Sequence, residues 1–258
     1  MKTIWETLIG IGCFKWVRPK NTLLVNQTDR SWLAQMGLAS FEQLMYRDIG
    51  CVIQKDDISD VRIIEGYGRT AYLKRHMTCP IQKSIEKYFL SRRAHTVPYT
   101  EYLHMGSLQR FQFPVVNSIA VGEQRKLGFP RHGFILVNEV KGSRLDEALN
   151  LTDLQDKDAK LLQSFAKLLA RLHQHGFYAQ LRLKDIIVTD MNKPSLVMID
   201  RETRHPYPCR LSKTKARRSL DRSFRRIKRD SPAFNEDHKN IVMQAYRSHS
   251  GASRGGQK

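Results

Sequence analysis

The stretch from 157 to 175 constrains the fold most. Leu161, Leu162, Phe165, Leu168, Leu169 and Leu172 recur at the spacing of one helical face. His173, His175 and Gly176 close it, because basic groups suit the negative end of a helix and glycine stops it. A helix this one-sided must be covered by a second layer. The preceding residues supply both periods. Residues 30–47 carry Trp32, Leu33, Met36, Leu38, Phe41, Leu44 and Met45 at helical spacing, with Ser40 placed to cap a second short helix. The period then changes. Strands are expected at 51–53, 61–64 and 70–74, and Gly66-Tyr67-Gly68 reads as the turn joining the last two.

A helix is expected at 99–111, with strands at 115–122 and 133–140. After the long helix, the apolar runs 186–188 and 196–199 flank a turn containing Asn192 and Pro194 and read as a hairpin. Strands therefore lead and helices follow, which describes an α+β chain with an antiparallel sheet first. Gly142 breaks the pattern between the two parts. The expected division is an N-terminal lobe at 1–141, a helical C-terminal lobe at 142–250 and a disordered Gly/Ser-rich tail at 251–258. The segment from Ile4 to Phe14 is mildly apolar and reads as a strand or short helix of the fold.

The chain has 258 residues and is 41% hydrophobic, enough for a sizeable core. Its 44 Lys and Arg against 25 acidic residues give +19, which favours polyanionic partners: nucleic acid, an anionic membrane surface or a phosphorylated glycolipid. The four cysteines, Cys13, Cys51, Cys79 and Cys209, show no zinc or disulfide spacing, so a reduced, cytoplasmic compartment is the simplest reading. No apolar run is long enough to span a bilayer, and any membrane attachment is expected to be peripheral.

Five short stretches carry the chemistry: Tyr72-Leu73-Lys74-Arg75-His76, Tyr99-Thr100-Glu101, residues 134–139 ending in Glu139, Leu172-His173-Gln174-His175-Gly176, and Val197-Met198-Ile199-Asp200. Their order is that of the parts of a protein kinase. Over roughly residues 30–205 the chain resembles the lipopolysaccharide core sugar kinases, which act on heptose or Kdo, and more closely their InaA-like branch. The resemblance implies a bilobal protein-kinase-like fold, with ATP and Mg²⁺ as cofactors. Lys74 would hold the α- and β-phosphates and Glu101 would pair with it. The carbonyl of Glu139 and the amide of Lys141 would meet the adenine edge. Asp185 and Asp200 would hold the metal, since hard cations take carboxylate oxygen.

Two features depart from that pattern. Five residues before Asp185, where the catalytic aspartate belongs, stands Gln180, and the segment is one residue short of the family's usual length. Glutamine positions groups but cannot accept a hydroxyl proton as a carboxylate does. The loop at 55–60 has no glycine and three acids, Asp56, Asp57 and Asp60, where kinases cover the phosphates with glycine-rich backbone. Both features favour the alternative of a pseudokinase, a binding or scaffold protein of the same fold.

Residues 210–229 carry ten basic side chains against Asp221 alone, a charge of +9, with Leu220, Phe224 and Ile227 on one stripe. The segment reads as a basic amphipathic helix. Arg217, Arg218, Arg225 and Arg226 are the candidates for an anionic surface: lipid headgroups or the phosphates of a lipid A precursor, with nucleic acid the least favoured partner. A surface helix with a solvated face fits the same pattern.

Overall fold

The computed structural model describes residues 20–77, 95–126, 128–191, 194–200 and 206–251. The expectations for 4–14, for Cys13 and Cys79, for the middle of the hairpin turn and for the tail beyond 251 lie outside these residues. The chain divides into two compact units. The first comprises Met1–Gly68, Tyr72–Tyr99 and Ile119–Leu136; the second comprises Arg69–Ala71, Thr100–Ser118 and Val137–Lys258.

The first unit is built on a six-stranded sheet of β1 (Lys20–Val25), β2 (Cys51–Lys55), β3 (Ser59–Gly66), β4 (Arg69–Met77), β5 (Ser118–Lys126) and β6 (Phe129–Asn138), in the order β1-β5-β6-β4-β3-β2. β1 pairs antiparallel with β5, and β2 with β3. Two short helices, α1 (Arg30–Gln35) and α2 (Phe41–Tyr46), accompany the sheet. Ser40 caps α2 as expected: its hydroxyl accepts from the Gln43 amide at 3.2 Å, and the Gln43 side chain accepts from the Ser40 amide at 3.0 Å. Leu33, Leu38, Leu44, Met45, Leu73 and Phe134 are fully buried. Each such side chain contributes about 1.5–3 kcal/mol on leaving water. The β3–β4 connection is a tight turn, with Tyr67 and Gly68 both at positive φ, 52° and 72°. That is the turn geometry whose twist suits a two-residue hairpin.

The expected strand at 115–122 begins later, at Ser118. The residues before it are used elsewhere: the Val116 amide donates to the Met198 carbonyl at 2.9 Å, and the Met198 amide to the Pro114 carbonyl at 3.0 Å. Register of this kind joins segments more than 80 residues apart, so local alternation cannot reveal it.

The second unit holds α3 (Val97–Arg110) from Thr100 onward, α4 (Leu145–Ala148), α5 (Asp156–Gln174), α6 (Lys213–Asp230) and α7 (Glu236–Gly251). α5 is the long periodic helix. Its six marked apolar residues are buried and join Phe177, Leu181, Leu220, Phe224, Ile227 and Val242 in one core. A three-stranded antiparallel sheet of β7 (Ser143–Arg144), β8 (Ile186–Asp190) and β9 (Ser195–Met198) completes the unit. The hairpin was expected; the third strand, which sets Arg144 opposite Ile187, was not. Gly176 follows α5 at φ +79°, and a Cβ there would collide with the Cys209 carbonyl oxygen, so only glycine suits the position. Cys51 and Cys209 are free thiols. Among the described residues no helix is long and apolar enough to cross a membrane.

Candidate functional site

In the first unit Lys74 lies on β4, half-buried between Leu73 and Arg75, both of which are buried. The 55–60 loop differs in character from the acid-lined loop expected beside phosphates. Asp56 closes its own turn: its Oδ1 accepts from the amides of Ile58 and Ser59 at 2.9 and 2.7 Å, and its Oδ2 from the Ser59 hydroxyl at 2.8 Å. Those hydrogen bonds, led by the Ile58 amide, hold its carboxyl below the usual carboxylate range. Asp60 points inward. It is buried against Arg62, whose Nε donates at 2.9 Å, with the Arg75 Nη1 at 3.8 Å. Arg75, itself buried, donates to the Leu44 and Arg47 carbonyls at 2.8 Å and so satisfies the end of α2. Asp57 alone of the three acids is fully on the surface without such a role among these bonds. The loop's negative charge is thus largely structural.

In the second unit Glu101 is buried on α3. Glu139 follows β6, exposed, and its amide donates to the Thr70 carbonyl at 3.1 Å. Lys141 is exposed two residues on. Gln180 is half-buried in the segment after α5. α6 pins that segment along its length: the Ser223 hydroxyl accepts from the Leu181 amide at 3.0 Å, the Tyr178 hydroxyl accepts from the Ser212 amide at 2.8 Å, and Arg222 donates to the Tyr178 carbonyl at 3.3 Å. Ser219 meets the His173 Nε2 at 3.0 Å, and the other ring nitrogen of His173 meets the Tyr246 hydroxyl at 2.9 Å. Ser219 and Ser223 are wholly buried. Their i, i+4 spacing beside Leu220, Phe224 and Ile227 was legible as a small polar edge on the apolar stripe, but what they hold was not.

Asp185 and Asp200 come together. The Ile199 amide donates to the Asp185 carbonyl at 2.9 Å, and the two carboxyl charges sense each other. Asp185 is buried, and both its oxygens are taken by Arg182: Nε donates to Oδ2 at 2.7 Å and Nη2 to Oδ1 at 2.6 Å. Burial pushes the Asp185 carboxyl up; the Arg182 bonds oppose this and the Asp200 charge adds to it. Arg144, held by Asp146 at 3.0 and 2.5 Å, also lies within electrostatic range of Asp185. Among the described residues no group of three His, Cys, Asp or Glu side chains could hold a metal ion. In this arrangement each Asp185 oxygen already accepts from Arg182, and the guanidinium charge stands beside both. Sequence reading passed over Arg182 because an arginine in a loop three residues before an aspartate is an ordinary occurrence.

The basic helix shows its charge and hides its apolar side. Arg217, Arg218 and Arg225 are exposed and Arg226 half-buried, while Leu220, Phe224 and Ile227 belong to the core. A groove of about 1130 Å³ runs between α6 and α7, lined among others by Arg217, Leu220, Phe224, Lys239, Met243 and Arg247.

No protein-family model matches the chain, and no curated protein does. Solved structures do. The chain is similar to a structure described as WaaP in complex with acyl carrier protein, at 15% identity and a TM-score of 0.51, over 89% of this chain and 98% of that one. A MAP kinase, LmaMPK10 from Leishmania major, matches at 12% identity and a TM-score of 0.42, over 70% of this chain and 49% of that one. With its antiparallel sheet, its helical second unit and its match to WaaP, the chain has the α+β protein-kinase-like fold.

Proposed function

We propose that this is an ATP-binding protein of the lipopolysaccharide-core kinase type, acting on a heptose or Kdo hydroxyl of a core glycolipid. The observation that carries the reading is the segment 177–185. It is pinned by α6, carries Gln180 five residues before Asp185, and brings Asp185 within electrostatic range of Asp200. Phosphoryl transfer rests mainly on positioning and charge neutralisation, so the absence of a carboxylate at position 180 slows it without forbidding it. In this reading Lys74 anchors the phosphates, Glu101 is the acid that orients it, and the backbone at Glu139 and Lys141 meets the base. ATP is expected to raise the melting temperature, and Lys74→Ala to weaken ATP binding roughly tenfold or more, the worth of a charge-assisted hydrogen bond. A wild type indifferent to ATP in a thermal-shift series, or an unaffected Lys74→Ala variant, would remove the reading.

A second reading is a pseudokinase that binds nucleotide and docks on an anionic partner without transfer. Gln180 and the occupied Asp185 carboxylate favour it.

Both readings use α6 as a docking surface at the cytoplasmic face of the inner membrane. Because its apolar stripe is buried in the core, attraction to lipid phosphates would be electrostatic, without insertion. Binding to vesicles containing anionic lipid is expected to fall steeply with salt, since screening acts over about 8 Å at physiological ionic strength. Reversing Arg217, Arg218, Arg225 and Arg226 to Glu is expected to abolish it with little change in melting temperature. Salt-insensitive binding, or retention by the reversed variant, would exclude this surface; capture of nucleic acid in place of vesicles would point to the other polyanion.

A further inference from the structure

A kinase-like loop needs positive charge beside its acidic pair, because two carboxylates and a polyphosphate repel one another. In this chain the positive charge comes from within the loop. The 3₁₀ turn at Leu183–Asp185 folds the backbone so that Arg182 faces Asp185 three residues later. The contact is the two-pronged guanidinium–carboxylate arrangement, at 2.7 and 2.6 Å, with the side chains 18% and 8% exposed. Arg182 also lies within electrostatic range of Asp200 and of Asp230, the latter held by Lys184 and Arg229. Lys184 is directed to Asp230 at 3.3 Å and Arg144 to Asp146, which leaves the Asp185 carboxylate to Arg182. Magnesium wants near-octahedral oxygen at about 2.0–2.1 Å and gives up water reluctantly. The guanidinium takes one lone pair on each Asp185 oxygen and sets a full positive charge beside both, so a divalent ion approaching the remaining lone pairs meets like charge at close range. Arginine carries five N–H donors, and Asp185 engages two, so three remain for an anion.

We propose that Arg182 is a built-in counter-cation: its guanidinium takes the place of a divalent ion at Asp185 and turns its remaining N–H groups to the phosphates of the bound ligand, so that binding needs no divalent metal. The phosphate half of this proposal rests on the nucleotide reading above. The exclusion of metal does not.

The test therefore has two arms. In the first, Mn²⁺ alone is titrated into the full chain and free Mn²⁺ is followed by electron paramagnetic resonance. The wild type is expected to leave the signal unchanged at millimolar Mn²⁺. Arg182→Gln is expected to bind at least about tenfold more tightly, and adding Asp185→Asn to it should abolish the gain. Should Arg182→Gln fail to fold, Arg182→Met serves, because it keeps an aliphatic stem and removes both the charge and the donors. Wild-type Mn²⁺ binding that Asp185→Asn removes overturns the proposal. So does a folded Arg182 variant as silent as the wild type, because Arg182 would then not be what keeps the ion out. In the second arm, ATP with EDTA is expected to raise the wild-type melting temperature as much as ATP with Mg²⁺, and Arg182→Gln to make the shift Mg²⁺-dependent. An Mg²⁺-dependent shift in the wild type overturns the metal-free half. No shift under either condition rejects the nucleotide reading and with it the phosphate half, leaving the Mn²⁺ titration to decide the exclusion of metal.

Discussion

Gln180→Asp is expected to raise phosphate transfer to a dephosphorylated core glycolipid by about 10²-fold, the lower end of what a positioned general base contributes. The position lies five residues before Asp185, and the loop around it is held by the Leu181 amide donating to the Ser223 hydroxyl and by Ser212 and Arg222 donating to Tyr178, so a carboxylate there is placed by a framework that the substitution does not touch. Gln180 is only half-buried, so water still reaches a carboxylate placed there, and the change is expected to cost about 1 kcal/mol or less in folding. The measurement is transfer of labelled γ-phosphate by wild type, Gln180→Asp and Asp200→Asn, each with and without Mg²⁺. A strongly active wild type that Gln180→Asp slows would mean that the loop aims residue 180 elsewhere, and the pseudokinase alternative would fall with it. No transfer in any variant, with ATP still bound, would favour the binding-protein reading.

Asp60→Ala is expected to cost about 3 kcal/mol in the first unit, whereas Asp57→Ala, three residues earlier in the same loop, should stay within about 0.5 kcal/mol. Removing Asp60 leaves Arg62 and Arg75, with side chains only 9% and 3% exposed, without the carboxylate between them. Breaking one partner of a buried ionic group costs about 3–5 kcal/mol, because the remaining charge is left uncompensated. The lower end applies here: Asp60 Oδ1 has no hydrogen-bond partner, Arg62 keeps Asp48 and the Ile49 carbonyl, and Arg75 keeps two backbone carbonyls. Urea unfolding of the two variants side by side makes the comparison. Equal losses would show that the internal ion pair carries no weight and that the loop's acids act only as surface charge.

Local residue patterns are enough to give the elements and their order. The six apolar residues of α5, the Ser40–Gln43 cap, the Tyr67-Gly68 turn and the β8–β9 hairpin are all written within a few residues of where they form, because helical and strand periods and turn chemistry are local. The order of those elements was sufficient to indicate the α+β kinase-like fold that the match to WaaP shares. The charge on α6 was equally plain. Which way the polar residues face depends instead on packing between distant segments. Asp60 is one of three acids in a polar loop until the β3–β4 pairing sets it beside Arg75, fifteen positions away, and turns an apparent obstacle to phosphate into an internal ion pair. Leu220, Phe224 and Ile227 fit a membrane or a core equally well until α6 meets the core formed with α5. Ser219 and Ser223 become the clasp of the 177–183 segment only through partners some 40 residues away. Arg182 and Asp185 are near neighbours in the chain, yet their pairing depends on a 3₁₀ turn and on burial that removes water as a competitor for both charges. A period is a property of one segment, whereas the partner of a charge is a property of the packed whole.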